Sequence, residues 1–203
     1  MERELVLKVL WVTNVETNHI AEYFGDKVVI GGWMEYSSKL ISQQRDVVLH
    51  IACRSNRDYY GLNVDEITYY SFSGNKTSHT RLKNIIDFVK PDVIHIWGTE
   101  FEHAFAVIRY ARQIGIHDKT IVSIQGLVSI YTKHYFANLP PHIIFHRTLK
   151  EILIPNIYRR QKEMEKRGKF EILSLQYIPN CIGRTDWDFA CAKQINPYFC
   201  SQN

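Results

Sequence analysis

Long apolar runs are the first thing this chain lacks. No stretch of its 203 residues approaches the roughly 18 to 20 consecutive apolar positions that a membrane-spanning helix needs. Cysteine is sparse as well. Cys53, Cys181, Cys191 and Cys200 are widely spaced with no C-x-x-C pair, which argues against a zinc site or a disulfide framework and leaves reduced thiols. Histidines are more numerous, but none forms an H-E-x-x-H pattern. His142 and His146 are four apart without a neighbouring acid or cysteine to complete a ligand set, so no metal is expected. Three signatures are missing: the dinucleotide fingerprint G-x-G-x-x-G, the P-loop G-x-x-x-x-G-K-[ST] and the nucleophile elbow G-x-S-x-G. Dehydrogenase, flavodoxin-like, P-loop and serine-hydrolase readings lose their footing with them. The start, Met1-Glu2-Arg3-Glu4, is charged and leads straight into a strand-like run, so a cytoplasmic location is expected rather than a secretory leader.

What is present is an ordinary globular composition, 45% hydrophobic and 23% charged with a formal charge of +4. The length suits a single large domain. The charge is unevenly placed. Between 147 and 169 stand eight basic residues (Arg147, Lys150, Arg159, Arg160, Lys162, Lys166, Arg167, Lys169) against Glu151, Glu163 and Glu165. That window reads either as a solvated helix face or as a patch meeting anionic lipid or a phosphorylated acceptor, at the inner face of a membrane. Nothing in the pattern suggests nucleic acid.

Apolar runs bounded by turn signals recur at Leu5–Thr13, Val47–Ala52, Ile67–Phe72, Val93–Trp97, Ile121–Ile124 and Tyr177–Ile182. Most are continuous rather than alternating, as in strands buried on both faces of a parallel sheet. Helical spacing lies between them: Met34, Leu40 and Ile41; Leu82, Ile85, Ile86 and Val89; Phe101, Phe105, Ile108 and Ala111. The expected fold is therefore α/β, a doubly wound and mostly parallel Rossmann-like sheet with extra C-terminal helices. Those helices are read at Ile143–Lys150, at about Ile157–Ser174 and at about Thr185–Gln194, with the last six residues too short for another element.

Ligands of such sheets bind outside the carboxyl ends of the strands. Candidate site residues are therefore sought there. Pro91-Asp92-Val93-Ile94-His95-Ile96-Trp97-Gly98-Thr99-Glu100 runs from strand into polar residues, presenting Trp97, Gly98 and Glu100. His95 shares a pleat face with Trp97 and reads as a core histidine. Gln125 and Gly126 end the next strand, where Gln125 points into the same crevice or bonds to loop backbone. Gly31 and Gly32 open a helix, where bare backbone N–H groups can approach a phosphate or simply turn tightly. In Ile182-Gly183-Arg184-Thr185-Asp186-Trp187-Asp188, Thr185 suits an N-cap with Asp188 as its capping-box acid. That leaves Arg184 free to meet phosphate or carboxylate.

Taken together and in order, these segments resemble the N-terminal domain of retaining GT-B glycosyltransferases, the group 1 or family 4-like enzymes. The resemblance rests on Lys8-Val9-Leu10-Trp11-Val12, Gly31-Gly32, the Pro91–Gly98 strand, Gln125-Gly126, Ile182–Asp188 and Ile195-Asn196-Pro197, and it spans almost the whole chain. It implies the acceptor-side half of an enzyme that moves a sugar from a nucleotide-sugar donor, a substrate rather than a cofactor, to a hydroxyl acceptor with retention. A donor-binding C-terminal domain would be the absent partner, without which the chain alone should not complete catalysis. By that resemblance Gly31, Gly32 and Arg184 bind donor phosphate, while Trp97, Gly98, Glu100, Gln125, Gly126 and Thr185 bind acceptor. Gln125 and Glu100 are the catalytic candidates, although many family members carry histidine at the Gln125 position. A non-catalytic sugar- or nucleotide-binding domain on the same scaffold is the alternative.

Overall fold

The computed structural model describes residues 6–26, 32–74, 78–145, 156–198 and 200–201. The chain winds in the order β1 (Leu7–Thr13), α1 (Asn18–Tyr23), α2 (Gly32–Ser42), β2 (Val47–Arg54), β3 (Tyr60–Val64), β4 (Ile67–Phe72), α3 (Ser78–Val89), β5 (Val93–Trp97) and α4 (Glu102–Gln113). It continues through β6 (Thr120–Ser123), α5 (Val128–Tyr131), α6 (Pro141–Phe145), α7 (Ile157–Tyr177), β7 (Asn180–Ile182), α8 (Asp186–Ile195) and β8 (Cys200–Ser201).

The eight strands form one sheet in the order β3-β4-β2-β1-β5-β6-β7-β8. Every neighbouring pair is parallel except β3 with β4. The chain builds outward from β1 to one side and returns to add β5 on the other. The sheet is thus doubly wound, and its switch point lies between β1 and β5, where side-by-side strand ends part and leave a crevice.

Alternation along the central strands sorts the core into two halves. Leu10, Val12, Ile94, Ile96 and Val122 face one way, under Leu82, Ile85 and Ile86 of α3, Val107 and Ile108 of α4 and Leu175 of α7. Trp11, Leu49, Ile51, Cys53 and Tyr69 face the other, under Ile20 of α1 and Ile41 of α2. His95 and Trp97 belong to this second face, as their spacing from Ile94 and Ile96 predicts.

Several boundaries differ from the sequence reading. β3 was not anticipated: it hairpins onto β4 through Asp65 and Glu66, both at positive φ (48° and 65°). Turns of that shape favour Asn or Gly, so an Asp-Glu pair gave no signal. Tyr177 belongs to the last turn of α7, and Pro179 delays β7 to Asn180. The closing residues do form an element, with Cys200 and Ser201 pairing parallel to Asn180 and Cys181. The helix expected at Ile143–Lys150 starts earlier, with α6 covering Pro141–Phe145; 146–150 lie outside the described residues.

Candidate functional site

β5 ends at Trp97, and Gly98 turns the backbone at φ 94°, a conformation that side-chain-bearing residues rarely adopt. A Cβ at Gly98 would lie 3.0 Å from Glu100 Oε2 and 3.7 Å from Gln125 Cγ. The missing side chain therefore makes room for Glu100 to fold back beside Gln125. Gly98 N–H donates to the Ser123 carbonyl (3.0 Å) and Ile124 N–H to the Ile182 carbonyl (2.9 Å), so the ends of β5, β6 and β7 are tied in one line. Arg184 closes it by donating through Nη2 to the Gln125 carbonyl at 2.6 Å.

The other wall is aromatic. Trp97 contacts Trp11 (centroids 5.0 Å), stacks on His95 (4.2 Å) and is covered by Trp33 at 4.7 Å. Trp33 follows Gly32 at the start of α2, so this contact brings the first turn of that helix toward the β5 end. A Cβ on Gly32 would touch nothing within 4 Å. Gly31 lies outside the described residues. Beyond Gln125, Tyr131 and Trp187 stack at 5.9 Å, both rings about half exposed, and Tyr131 lies against the bare face of Gly126. Gly32, Trp97, Gln125 and Arg184 thus meet along one rim of the sheet.

Thr185 has another occupation: its hydroxyl accepts from Asp188 N–H and caps α8. Asp188 answers one residue early, accepting from Arg184 N–H rather than from Thr185 itself. The capping box is shifted and fixes where the Arg184 backbone sits.

Glu100 is 6% exposed, and Arg167 of α7 donates to its Oε1 at 2.8 Å while lying over the Phe101 ring. Arg167 belongs to the basic window at 147–169, but the structure pairs it with a buried carboxylate. The opposite oxygen, Glu100 Oε2, has no hydrogen-bond partner, and neither do the buried Trp97 Nε1, Thr99 Oγ1 and Arg167 Nε. Buried polar atoms are almost always bonded. Here three of the four residues from Trp97 to Glu100, at one strand end, offer a donor, a hydroxyl and an acceptor left unmatched.

Glu171, also in α7, was missed from the sequence. It is fully buried and accepts from Val128 N–H (2.8 Å), Ser129 N–H (3.0 Å) and the Ser129 hydroxyl. Its carboxylate caps the first turn of α5, the place where a strand-helix loop would otherwise offer bare amides to a ligand. Burial pushes its pKa up, against the pull of those three donors. Gly168 lets the helices close, since a Cβ there would lie 2.8 Å from Ser129 Cα. A glutamate in a highly charged helix carries no mark of being buried, so no sequence signal was available. Trp33 could have been found, because it directly follows the paired glycines.

His95 and His103 are withdrawn from the chemistry. His95 Nε2 pairs with Ser123 Oγ at 2.7 Å, and burial lowers its pKa to about 4. His103 falls to about 3, through burial first and then the charges of Arg54 and His79. No group of three or more metal-ligating side chains occurs among the described residues. None of the helices among the described residues is long and apolar enough to cross a membrane.

No protein-family model and no curated protein matches the sequence. The fold does have a match among solved structures: the Medicago truncatula protein UGT71G1, crystallised in complex with UDP-glucose, superposes with a TM-score of 0.53 at 7% identity over 98% of this chain. The chain spans about half the length of that protein, 51%. The architecture shared with that protein is a Rossmann-type, mostly parallel α/β fold.

Proposed function

We propose that this chain is the acceptor-side half of a glycosyltransferase, which holds a hydroxyl-bearing acceptor at the rim while a nucleotide-sugar donor is presented across the cleft. The observation that carries the reading is the unmatched set Trp97 Nε1, Thr99 Oγ1 and Glu100 Oε2 at the switch point. A hydroxyl group both donates and accepts, so a polyol can meet an indole N–H and a carboxylate oxygen at once. Trp33 and Trp97 add ring faces suited to the apolar side of a sugar.

The task assigned to these residues is positional. Fixing a hydroxyl near an anomeric carbon removes an entropic barrier, and Arg167 keeps Glu100 in place for it. Gly32, at the start of an eleven-residue helix, contributes exposed N–H groups toward a donor phosphate. Arg184 spends one nitrogen on the Gln125 carbonyl and keeps its remaining donors for the same anion. Retention at the anomeric carbon and the need for a separate donor domain rest on the family resemblance. The UDP-glucose bound by the structural neighbour supports a nucleotide-sugar as donor.

One observation favours the alternative, a binding module without turnover: Gln125 stands at the rim and carries no proton that could titrate near neutral pH. Sugar transfer assayed in the protein that contains this chain separates the two. With a panel of nucleotide-sugars, turnover should appear and Gly32→Val should remove most of it while folding normally, since the added side chain meets open space. Binding of sugars with no transfer from any donor would leave the module; near-normal turnover by Gly32→Val would remove the glycine from the mechanism.

A further inference from the structure

A second concave surface lies away from the rim, along the outward face of α4 where α3 and α7 flank it. It encloses about 550 Å³, within the range of small-molecule sites. Its lining combines cations and rings: Lys83 from α3, Arg109 and Arg112 from α4, and Phe105, Tyr110 and Tyr177 around them. Each cation rests on a ring rather than on an acid. Lys83 Nζ lies 5.0 Å from the Tyr110 centroid, Arg109 5.9 Å from Phe105 and Arg112 5.5 Å from Tyr177. Among the described residues none of the three has a carboxylate partner. The single acid of the lining, Glu102, faces His79 at 3.6 Å.

Gathering three like charges costs stability unless something anionic offsets it. A ring attracts the cation without consuming its N–H donors as a carboxylate would, so charge and donors remain for a ligand. Arg109 and Arg112 are three apart on one helix, which sets their Cβ atoms roughly 5 to 6 Å from each other, and Lys83 faces them from α3. That spacing serves two linked anionic groups better than one. We propose that the α3-α4-α7 trough binds a small soluble ligand carrying a diphosphate or two neighbouring phosphates, at a site separate from the rim.

Inorganic pyrophosphate is the probe, titrated calorimetrically into the folded chain at low and at physiological salt. One saturable site is expected, weakening as salt rises. Arg109→Gln with Arg112→Gln should raise Kd at least tenfold, and Lys83→Gln should weaken binding on its own. Trp97→Ala, at the rim, and Lys162→Gln with Lys166→Gln, which remove the same charge from the exposed face of α7, should leave it unchanged. Since Arg109, Arg112 and Lys83 are solvent-exposed, the three trough substitutions should leave the melting point near the parent's. Pyrophosphate binding that ignores the trough substitutions, or that falls equally with the α7 pair, would overturn the proposal. So would failure to bind pyrophosphate while vesicles rich in phosphatidylglycerol are held through Arg109 and Arg112, which would transfer the site to lipid.

Discussion

Replacing Glu171 by alanine should be among the most damaging single changes to this domain. The carboxylate is fully buried and receives three hydrogen bonds from Val128 and Ser129. Hydrogen bonds to a charged group contribute about 1.5 to 3 kcal/mol each, but they do not add, and the desolvation of Glu171 opposes them. Truncation leaves two buried backbone N–H groups without acceptors and opens a cavity between α5 and α7. Breaking a buried charged contact from one side costs about 3 to 5 kcal/mol. For a domain of this size that is a fall of about 10 °C in unfolding midpoint. Glu171→Gln keeps the shape and one acceptor oxygen, so its loss should be smaller, about 1 to 3 kcal/mol. Urea unfolding followed by circular dichroism reads both. Because α5 anchors the loop carrying Gln125 and Gly126, native-state hydrogen exchange should quicken at Val128 and Ser129 in both variants. An alanine variant within about 1 kcal/mol of the parent, with amides as protected as before, would show that the clamp does not hold this loop.

Gly98→Ala should destabilise by about 1 to 3 kcal/mol, since φ is 94° and the new Cβ meets Glu100 Oε2 at 3.0 Å; chemical denaturation checks it. Acid should weaken the fold: His95 titrates near 6.5 when unfolded but only near pH 4 when folded. The unfolded chain therefore binds the extra proton, and roughly 3 kcal/mol present above pH 6.5 is lost as pH falls toward 4. A His95→Gln variant should show a shallower decline of stability across that window. Thr185→Ala removes the α8 cap and should cost about 1 kcal/mol, with faster exchange at the Asp188 amide. The exposed cations Arg159, Lys162, Lys166 and Lys169 of α7 should hold anionic vesicles in a co-sedimentation assay that weakens with salt; retention insensitive to salt would discard that contact.

Much of the fold was legible because burial on both faces leaves a continuous apolar run, as at Val93–Trp97, and because Pro91 and Gly115 punctuate helix ends. The β3 hairpin escaped because Asp65-Glu66 lacks the residues its backbone prefers. The rim was legible wherever a glycine or an aromatic residue interrupts a strand end, as at Trp97-Gly98 and Gln125-Gly126. It was illegible wherever a charge comes from elsewhere in the chain. Arg167 and Glu171 lie in α7, 67 and 42 or 43 residues from the groups they hold, inside a run of charges that local pattern assigns to solvent. Periodicity finds a buried stripe when it is apolar; it cannot single out one arginine that pairs inward among neighbours that do not.

The most direct measurement exploits the four tryptophans, Trp11, Trp33, Trp97 and Trp187, whose indole N–H signals can be resolved by nitrogen-proton correlation spectroscopy. On titration with sugars and nucleotide-sugars, the Trp97 indole signal should move saturably as its N–H acquires a hydroxyl acceptor, with Trp33 following through their ring contact. Glu100→Gln should blunt the shift. Sugars that leave Trp97 unmoved at saturating concentration, or a shift produced instead by NAD or FMN, would contradict the assignment of this rim to a glycosyl acceptor.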